Sequence, residues 1–455
     1  MFAVEGLSGR ASMRPADKPA AISRSAALAA RSRRFIPAAV NSNFRKDEDF
    51  EPVYMARGAG GRLYDVDGNE YIDLSLSYGP AILGHSNEHL REAVIAQANR
   101  LYCTENNELE SRAAEKIVEH VPCAELVRFA CSGTDAVYNA VRVARAHTRR
   151  NLLVRFVGHY HGGTDELMGG IPDPKGGYAA VAGETMEDFF SQMTHTDGRA
   201  EHALHDTRML HWNELDALDA LFRAEGKNIA AVLMEPVMVN NGGCVPLPGY
   251  LEGVRALCTR YGALLIFDEV LTGFRMGLGG AQEHFGVIPD LATFAKALGG
   301  GLPVSAFCGR REIMDHITRT DVVAGGTYNG HPMAMAAVVA TIEELERDGG
   351  AAFRRIRETG DTLRTGLEAL SQRHKTPLLL QGFAGAWTYN FTDLMRIDSQ
   401  RGARAIYSQR NGTFNRLLKK QRVLSTGRFC TSAAHTPADI ELALAAADRA
   451  FAQMN

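Results

Sequence analysis

The chain has 455 residues, 45% of them hydrophobic, and 50 basic residues nearly balance 53 acidic ones, leaving a formal net charge of −3. Such apolar content excludes a disordered chain, the length favours more than one domain, and the absence of a basic block argues against nucleic acid or an anionic membrane surface as a partner. No apolar stretch approaches the ~20 residues needed to span a bilayer, and the seven scattered cysteines, odd in number and without a CxxC pair, read as reduced, mostly buried side chains of a cytoplasmic protein.

Residues 1–20 mix Gly, Pro and charge without periodicity and are expected to form a flexible tail. AISRSAALAARSRRF (21–35) fits an amphipathic helix with a basic face rather than a transit peptide. In RLYDVDGNEYIDL (62–74) two β-rich runs meet at Asp67-Gly68, which tolerates the positive φ of a tight turn. From about residue 90 to 310 the pattern changes: the apolar runs ELVRFA, NLLVRFV, IAAVLMEP, ALLIFDE and PVSAFCG alternate with segments of helical period. In AVYNAVRVARAHT, Val137, Ala140, Val141 and Ala144 recur on one helical face. Strands apolar on both faces and separated by helices predict an α/β fold with a mostly parallel, doubly wound sheet. The division expected is an N-terminal arm and small-domain segment (21–85), a large domain (86–335) and a C-terminal small domain of helices and shorter strands (336–455). The last helix has a clear start, with Thr436 to cap it, Pro437 in the first turn and Asp439 near the exposed amides.

In an open parallel sheet the ligand lies beyond the carboxyl ends of the strands, so the residues that follow each strand form the candidate site. Behind ELVRFA come Ser132, Gly133 and Thr134 at a helix start, which fits either a phosphate cradle or a capped helix. NLLVRFV is followed by GHYHGG, where Tyr160 is placed to stack on a flat ligand; His159 and His161 lack the third ligand that a metal would need, and no metal is expected. IAAVLM runs into Glu235, with Asn240 in the loop beyond. ALLIF ends in Asp268 and Glu269: a buried Asp268 needs an arginine or a protonated ring nitrogen as partner, and Glu269, on the other face, has Arg275 nearby in sequence. Lys296 closes a further apolar run, where it is either a snorkelling cation or an amine desolvated enough to form a Schiff base. Together, a phosphate cradle, a stacking ring, an acid for a ring nitrogen and an amine for an aldehyde match the requirements of pyridoxal 5'-phosphate.

The motifs AAVNSNFR, YDVDGNEYIDLSLSYGPAILGH, RFACSGTDAVYNAVRVAR, GHYHGG, AAVLMEPV, LLIFDEVLTGFR, DLATFAKALGGGLPVSAF and GGTYNGHPMAMAA resemble those of the class III, fold type I pyridoxal phosphate aminotransferases, and most of all the glutamate-1-semialdehyde 2,1-aminomutase group. The resemblance implies that Lys296 carries the cofactor and acts as acid and base, that Asp268 holds its ring nitrogen and Tyr160 stacks on it, with His161 beside it. Ser132, Gly133 and Thr134 would take the phosphate, Asn240 would lie near the phenolic oxygen and Glu235 behind the ring. Thr327 would reach the phosphate of a second subunit, in a homodimer with shared active sites. Substrate candidates by the same resemblance are Arg45, a carboxylate clamp or else a surface charge, with Ser42 beside it, Tyr78, where the group has a tryptophan, and Arg428, where the group has an acid. The gating loop of the aminomutases is not evident in MGGIPDPKGGYAAVAGETMEDFF. The expected reaction is therefore intermolecular transfer of an amino group between a small-molecule amino donor, a β- or unusual amino acid included, and a keto acid or aldehyde acceptor. An aminomutase-type isomerase is the alternative, and a noncatalytic relative the lesser one, against which intact Lys296 and Asp268 argue.

Overall fold

A computed structural model describes residues 23–46, 50–168, 198–200, 202–403 and 406–454. The expected tail (1–20) and nearly all of the segment inspected for a gating loop (168–190) lie outside the described residues. Compactness divides the chain into one unit of residues 1–57 with 64–69 and a second of residues 58–63 with 70–455.

In the first unit the basic segment forms the expected helix, Arg24–Ser32, capped by Ser23 through a 3.1 Å bond from the Ala26 amide. Asp67 anchors that helix start by accepting the amides of Arg24 (2.6 Å) and Ser25 (3.0 Å), which favours an anion at the positive end of the helix. Gly68 takes the positive φ of +85° that the turn demands.

Strands β1 (Met55–Ala59), β2 (Arg62–Asp65) and β3 (Glu70–Asp73) precede the main sheet of the second unit. That sheet comprises β4 (Leu126–Ala130), β5 (Leu152–Phe156), β6 (Thr207–Leu210), β7 (Ile229–Met234), β8 (Leu264–Asp268), β9 (Leu291–Phe294) and β10 (Ser305–Gly309), in the order β4-β10-β9-β8-β7-β5-β6. From β9 to β6 every pairing is parallel, whereas β10 runs antiparallel to both neighbours. Each of the five expected strands is present. β6 was not anticipated, because TRML is short and only half-buried in alternation.

The period of two along the strands assigns their side chains to two cores. Leu153, Ala231, Leu233, Leu264 and Ile266 pack with Val137, Ala140, Val141 and Ala144 of the helix Gly133–Thr148. Leu152, Val154, Phe156, Val232, Leu265 and Phe267 point the other way, onto Trp212, Phe222 and Val254. Burial on both faces explains why these strands read as continuous apolar runs, and each fully buried side chain stabilises the fold by about 1.5–3 kcal/mol.

Beyond β10, a helical stretch from Pro332 to His374 is interrupted by non-helical residues at Arg347–Gly350. The boundary expected between 335 and 336 falls inside its first part. A small antiparallel sheet of β11 (Leu379–Phe383), β12 (Ala386–Asn390) and β14 (Arg428–Cys430) follows, while β13 (Val423–Leu424) pairs parallel with β3. The last helix, Pro437–Met454, starts as expected: Asp439 N–H donates to Thr436 Oγ1 (3.2 Å), and the Asp439 carboxylate accepts the Thr436 amide (2.9 Å). Among the described residues no helix is long and apolar enough to cross a membrane.

Candidate active site

The carboxyl ends of β7, β8 and β9 converge on a cavity of roughly 240 Å³ lined by Thr134, Tyr160, His161, Glu235, Asp268 and Lys296. Asp268 is the last residue of β8 and is 3% exposed. Its Oδ2 lies 2.7 Å from His161 Nδ1, and its Oδ1 accepts the Val270 amide at 3.0 Å and the Thr293 hydroxyl at 3.3 Å. A carboxylate supplied with three donors is tolerated in a dry site.

Lys296 opens a short 3-10 turn just after β9, with a φ of +44° that an L-residue adopts only under constraint. Burial, reinforced by the nearby Arg428 guanidinium, pushes its ammonium down to about 8 against the opposing pull of Glu235 and Asp268. At pH 7 about a tenth of the side chain is then the neutral, nucleophilic amine, against well under a thousandth for an ordinary lysine.

The helix Gly133–Thr148 begins at the same cavity. The Ser132 hydroxyl is taken up by the cap: it donates to Asp135 Oδ2 at 2.7 Å and accepts the Asp135 amide at 3.2 Å. The amides of Gly133 and Thr134 remain directed out of the helix start, where the dipole favours an anion. GHYHGG packs hard against this turn. Gly162 has φ +113°, and a Cβ there would stand 2.6 Å from Thr134 Oγ1. Gly163 N–H donates to the same hydroxyl at 3.2 Å.

Glu235, 4% exposed, fixes the same loop by accepting the Tyr160 amide at 2.7 Å, and Asn240 Nδ2 donates to it at 3.0 Å. Burial and the charge of Asp268 push its carboxyl up to about 7. Asn240 Oδ1 in turn accepts Arg428 Nη1 at 2.9 Å, and Arg428 Nη2 lies 3.5 Å from the carbonyl of Tyr78. Arg428 is 6% exposed and makes no ion pair with a carboxylate among the described residues. It borders a second recess, about 180 Å³, that shares Asn240 with the first and is lined by Asn241, Tyr389, Asn390 and Thr426.

Thr327 is exposed in the loop before the helix that starts at Pro332, and Ser42 and Arg45 belong to the first compact unit, in and beside the 3-10 turn Asn43–Arg45. The expected pairing of Glu269 with Arg275 is not formed. Glu269 accepts Thr272 Oγ1 (2.9 Å), Gln282 Nε2 (3.0 Å) and the Ala281 amide, whereas Arg275 donates to the carbonyls of Gly79, Gly385 and Thr431. Both charges are buried, and each is satisfied by neutral groups of its own, amides and a hydroxyl for the acid and carbonyls for the guanidinium. Sequence reasoning overlooked Thr293, although a polar residue inside the apolar run LATF, opposite Asp268 in the β8–β9 register, is a readable signal.

Comparison with known proteins accords with this geometry. The profile described as Aminotransferase class-III matches residues 44–385. The chain belongs to the class III aminotransferases. It is 37% identical over 436 residues to glutamate-1-semialdehyde 2,1-aminomutase 2 of Brevibacillus brevis, covering 94% of this chain and 98% of that one. Among solved structures it resembles an omega-transaminase from Sphaerobacter thermophilus (TM-score 0.86, 30% identity, 94% and 97% of the two chains). A beta-phenylalanine aminotransferase from Variovorax paradoxus is also similar (TM-score 0.80, 29% identity, 93% of each chain).

Class III aminotransferases are pyridoxal phosphate enzymes, and the residues present fit that cofactor. The cavity offers a depressed lysine amine, an ionisable carboxylate at the end of β8 and two outward amides at a helix start. An aldehyde, a ring nitrogen and a phosphate are the groups these would receive.

Proposed function

We propose that this class III aminotransferase works intermolecularly, moving an amino group from a carboxylate-bearing amine, β-amino acids included, to a keto acid or aldehyde. The observation that carries the reading is Arg428, a buried guanidinium at the edge of the cavity whose described bonds go to an amide oxygen and a carbonyl rather than to a carboxylate. A buried cation without an anion is costly, and a substrate carboxylate supplies the missing charge in bidentate fashion. Arg45, Ser42 and Tyr78 are the further substrate contacts in this reading.

Bound pyridoxal phosphate supplies an electrophilic aldehyde and an electron-withdrawing ring. Lys296 Nζ would hold the cofactor through its aldehyde, and as a free amine it would serve as the acid and base that moves a proton from the amine-bearing carbon to the position next to it. Asp268 would keep a proton on the ring nitrogen, Tyr160 would stack on the ring, and the Gly133 and Thr134 amides would orient the phosphate together with Thr327 from the second subunit of a homodimer, while Ser132, whose amide and hydroxyl both go to Asp135, serves as the cap of that helix. A cytoplasmic setting suits seven unpaired cysteines.

The second reading, an aminomutase, is favoured by the Brevibacillus brevis relative. The two are separated by supplying α-, β- and ω-amines to the purified holoenzyme with and without a carbonyl acceptor. The transaminase reading expects turnover only when donor and acceptor are both present. Isomerisation of glutamate 1-semialdehyde supplied alone, at rates above any two-substrate reaction, would replace it.

A further inference from the structure

His159 and His161 flank Tyr160 with both rings buried, 1% and 2% exposed, and hydrogen bonding fixes one nitrogen of each. His159 Nδ1 lies 2.9 Å from the Glu235 amide. A backbone N–H only donates, so Nδ1 is the bare acceptor and the neutral ring carries its proton on Nε2. Burial, the neighbouring His161 and the Arg155 guanidinium of β5 all keep that ring neutral. His161 Nδ1 faces Asp268 Oδ2 at 2.7 Å. An ionised carboxylate only accepts, so here Nδ1 carries the proton and Nε2 is the bare acceptor. Burial and Arg155 hold His161 neutral as well, against the pull of Asp268.

Both Nε2 atoms are buried with no hydrogen-bond partner. One is a donor in need of an acceptor, the other an acceptor in need of a donor, on rings whose centroids are 5.8 Å apart with planes inclined at 59°. A single water placed between them, accepting from His159 and donating to His161, would satisfy both. All the links then donate in one direction: Glu235 N–H to His159, His159 to water, water to His161, and His161 to Asp268. Such a chain polarises along its length and ends on the anion.

We propose that His159 is a positioning residue for the reaction, locking the tautomer of His161 through one internal water and so holding Asp268 as the carboxylate that faces the cofactor's ring nitrogen. The inference rests on the role given to Asp268 above.

The test compares His159→Asn and His159→Gln with the wild-type holoenzyme, by pH titration of the visible band of bound pyridoxal phosphate and by calorimetric cofactor affinity. Asn reproduces the acceptor at Nδ1 but has nothing at the Nε2 position; Gln places an amide N–H there. His159→Asn should shift the titration by roughly tenfold in proton affinity, and His159→Gln should restore it. Overlap of H159N with wild type, or equal shifts in both variants, would overturn the proposal. Should H159N fail to fold, a high-resolution structure of the wild-type holoenzyme decides: a water bonded to both Nε2 atoms supports the relay, and its absence sinks it. A wild-type protein that shows no visible band with pyridoxal phosphate would instead bring down the assigned role of the site, and the relay with it.

Discussion

Replacing Arg428 by Gln removes a charge while leaving an amide able to donate to Asn240. In the structure the guanidinium bonds Asn240 Oδ1 at 2.9 Å, reaches the Tyr78 carbonyl at 3.5 Å and leaves Nε without a partner. Those contacts are present whatever substrate is bound, so their loss cancels when two substrates are compared on one variant. What does not cancel is the pairing with a substrate carboxylate, worth about 2–5 kcal/mol in a desolvated site. At about 1.4 kcal/mol per tenfold, kcat/KM for a carboxylate-bearing amine should fall by about 30-fold to more than a thousandfold. A carboxylate-free amine of similar size should lose less than about threefold on the same scale. Steady-state kinetics on such a matched pair, with thermal unfolding as a control for folding, measures the difference. Equal losses for both amines would refute the assignment. Removing the positive charge also relieves part of the depression of Lys296, so the pH at which apoprotein capture of pyridoxal phosphate rises should move up from about 8.

Other outcomes follow from the same geometry. Lys296→Ala should abolish the covalent link to pyridoxal phosphate, seen as loss of borohydride-trapped adduct by mass spectrometry, along with nearly all turnover; an active variant would contradict the role of Lys296. Because the Lys296 ammonium is depressed to about 8, its neutral fraction rises with pH through that value, so capture of pyridoxal phosphate by apoprotein should accelerate up to and level off above pH 8. An inflection near the ordinary lysine value would show that the site is wetter than the structure implies. Gly162→Ala should weaken cofactor binding and lower stability by about 2 kcal/mol, from strain at φ +113° and the contact with Thr134, readable by calorimetry and thermal melting. Glu269→Ala should cost about 3 kcal/mol of stability by orphaning the donors of Thr272 and Gln282, while folded protein still binds cofactor. Cofactor loss without loss of stability would place Glu269 in the site.

The doubly wound sheet was legible because strands buried on both faces must be predominantly apolar, as β5, β7, β8, β9 and β10 are despite Arg155, Asp268, Thr293 and Ser305. The antiparallel direction of β10 was not, since an apolar run carries no sense of direction. Asp268 and Lys296 stood out as ionisable residues ending such runs. Glu269 looked similar but went to local amides, because its partners, Thr272, Ala281 and Gln282, are brought round by the turn after β8 and carry no charge for a sequence reader to match.

Composition, the period of the apolar residues and the order of the motifs determined by themselves the fold class and the pyridoxal phosphate chemistry, and singled out Asp268 and Lys296, which the structure brings to one cavity. These are properties of single segments: a strand must be apolar to be buried, and a glycine must sit where the backbone turns. Tertiary structure alone decided that Arg428, 132 positions after Lys296 in the sequence, lies near enough to lower its pKa, that the Ser132 hydroxyl is spent on its own helix cap, and that His159 and His161 bury two unpartnered Nε2 atoms, one protonated and one bare. Charge interaction and hydrogen bonding depend on distances of a few ångströms and on direction, and neither is written in the spacing of residues along the chain.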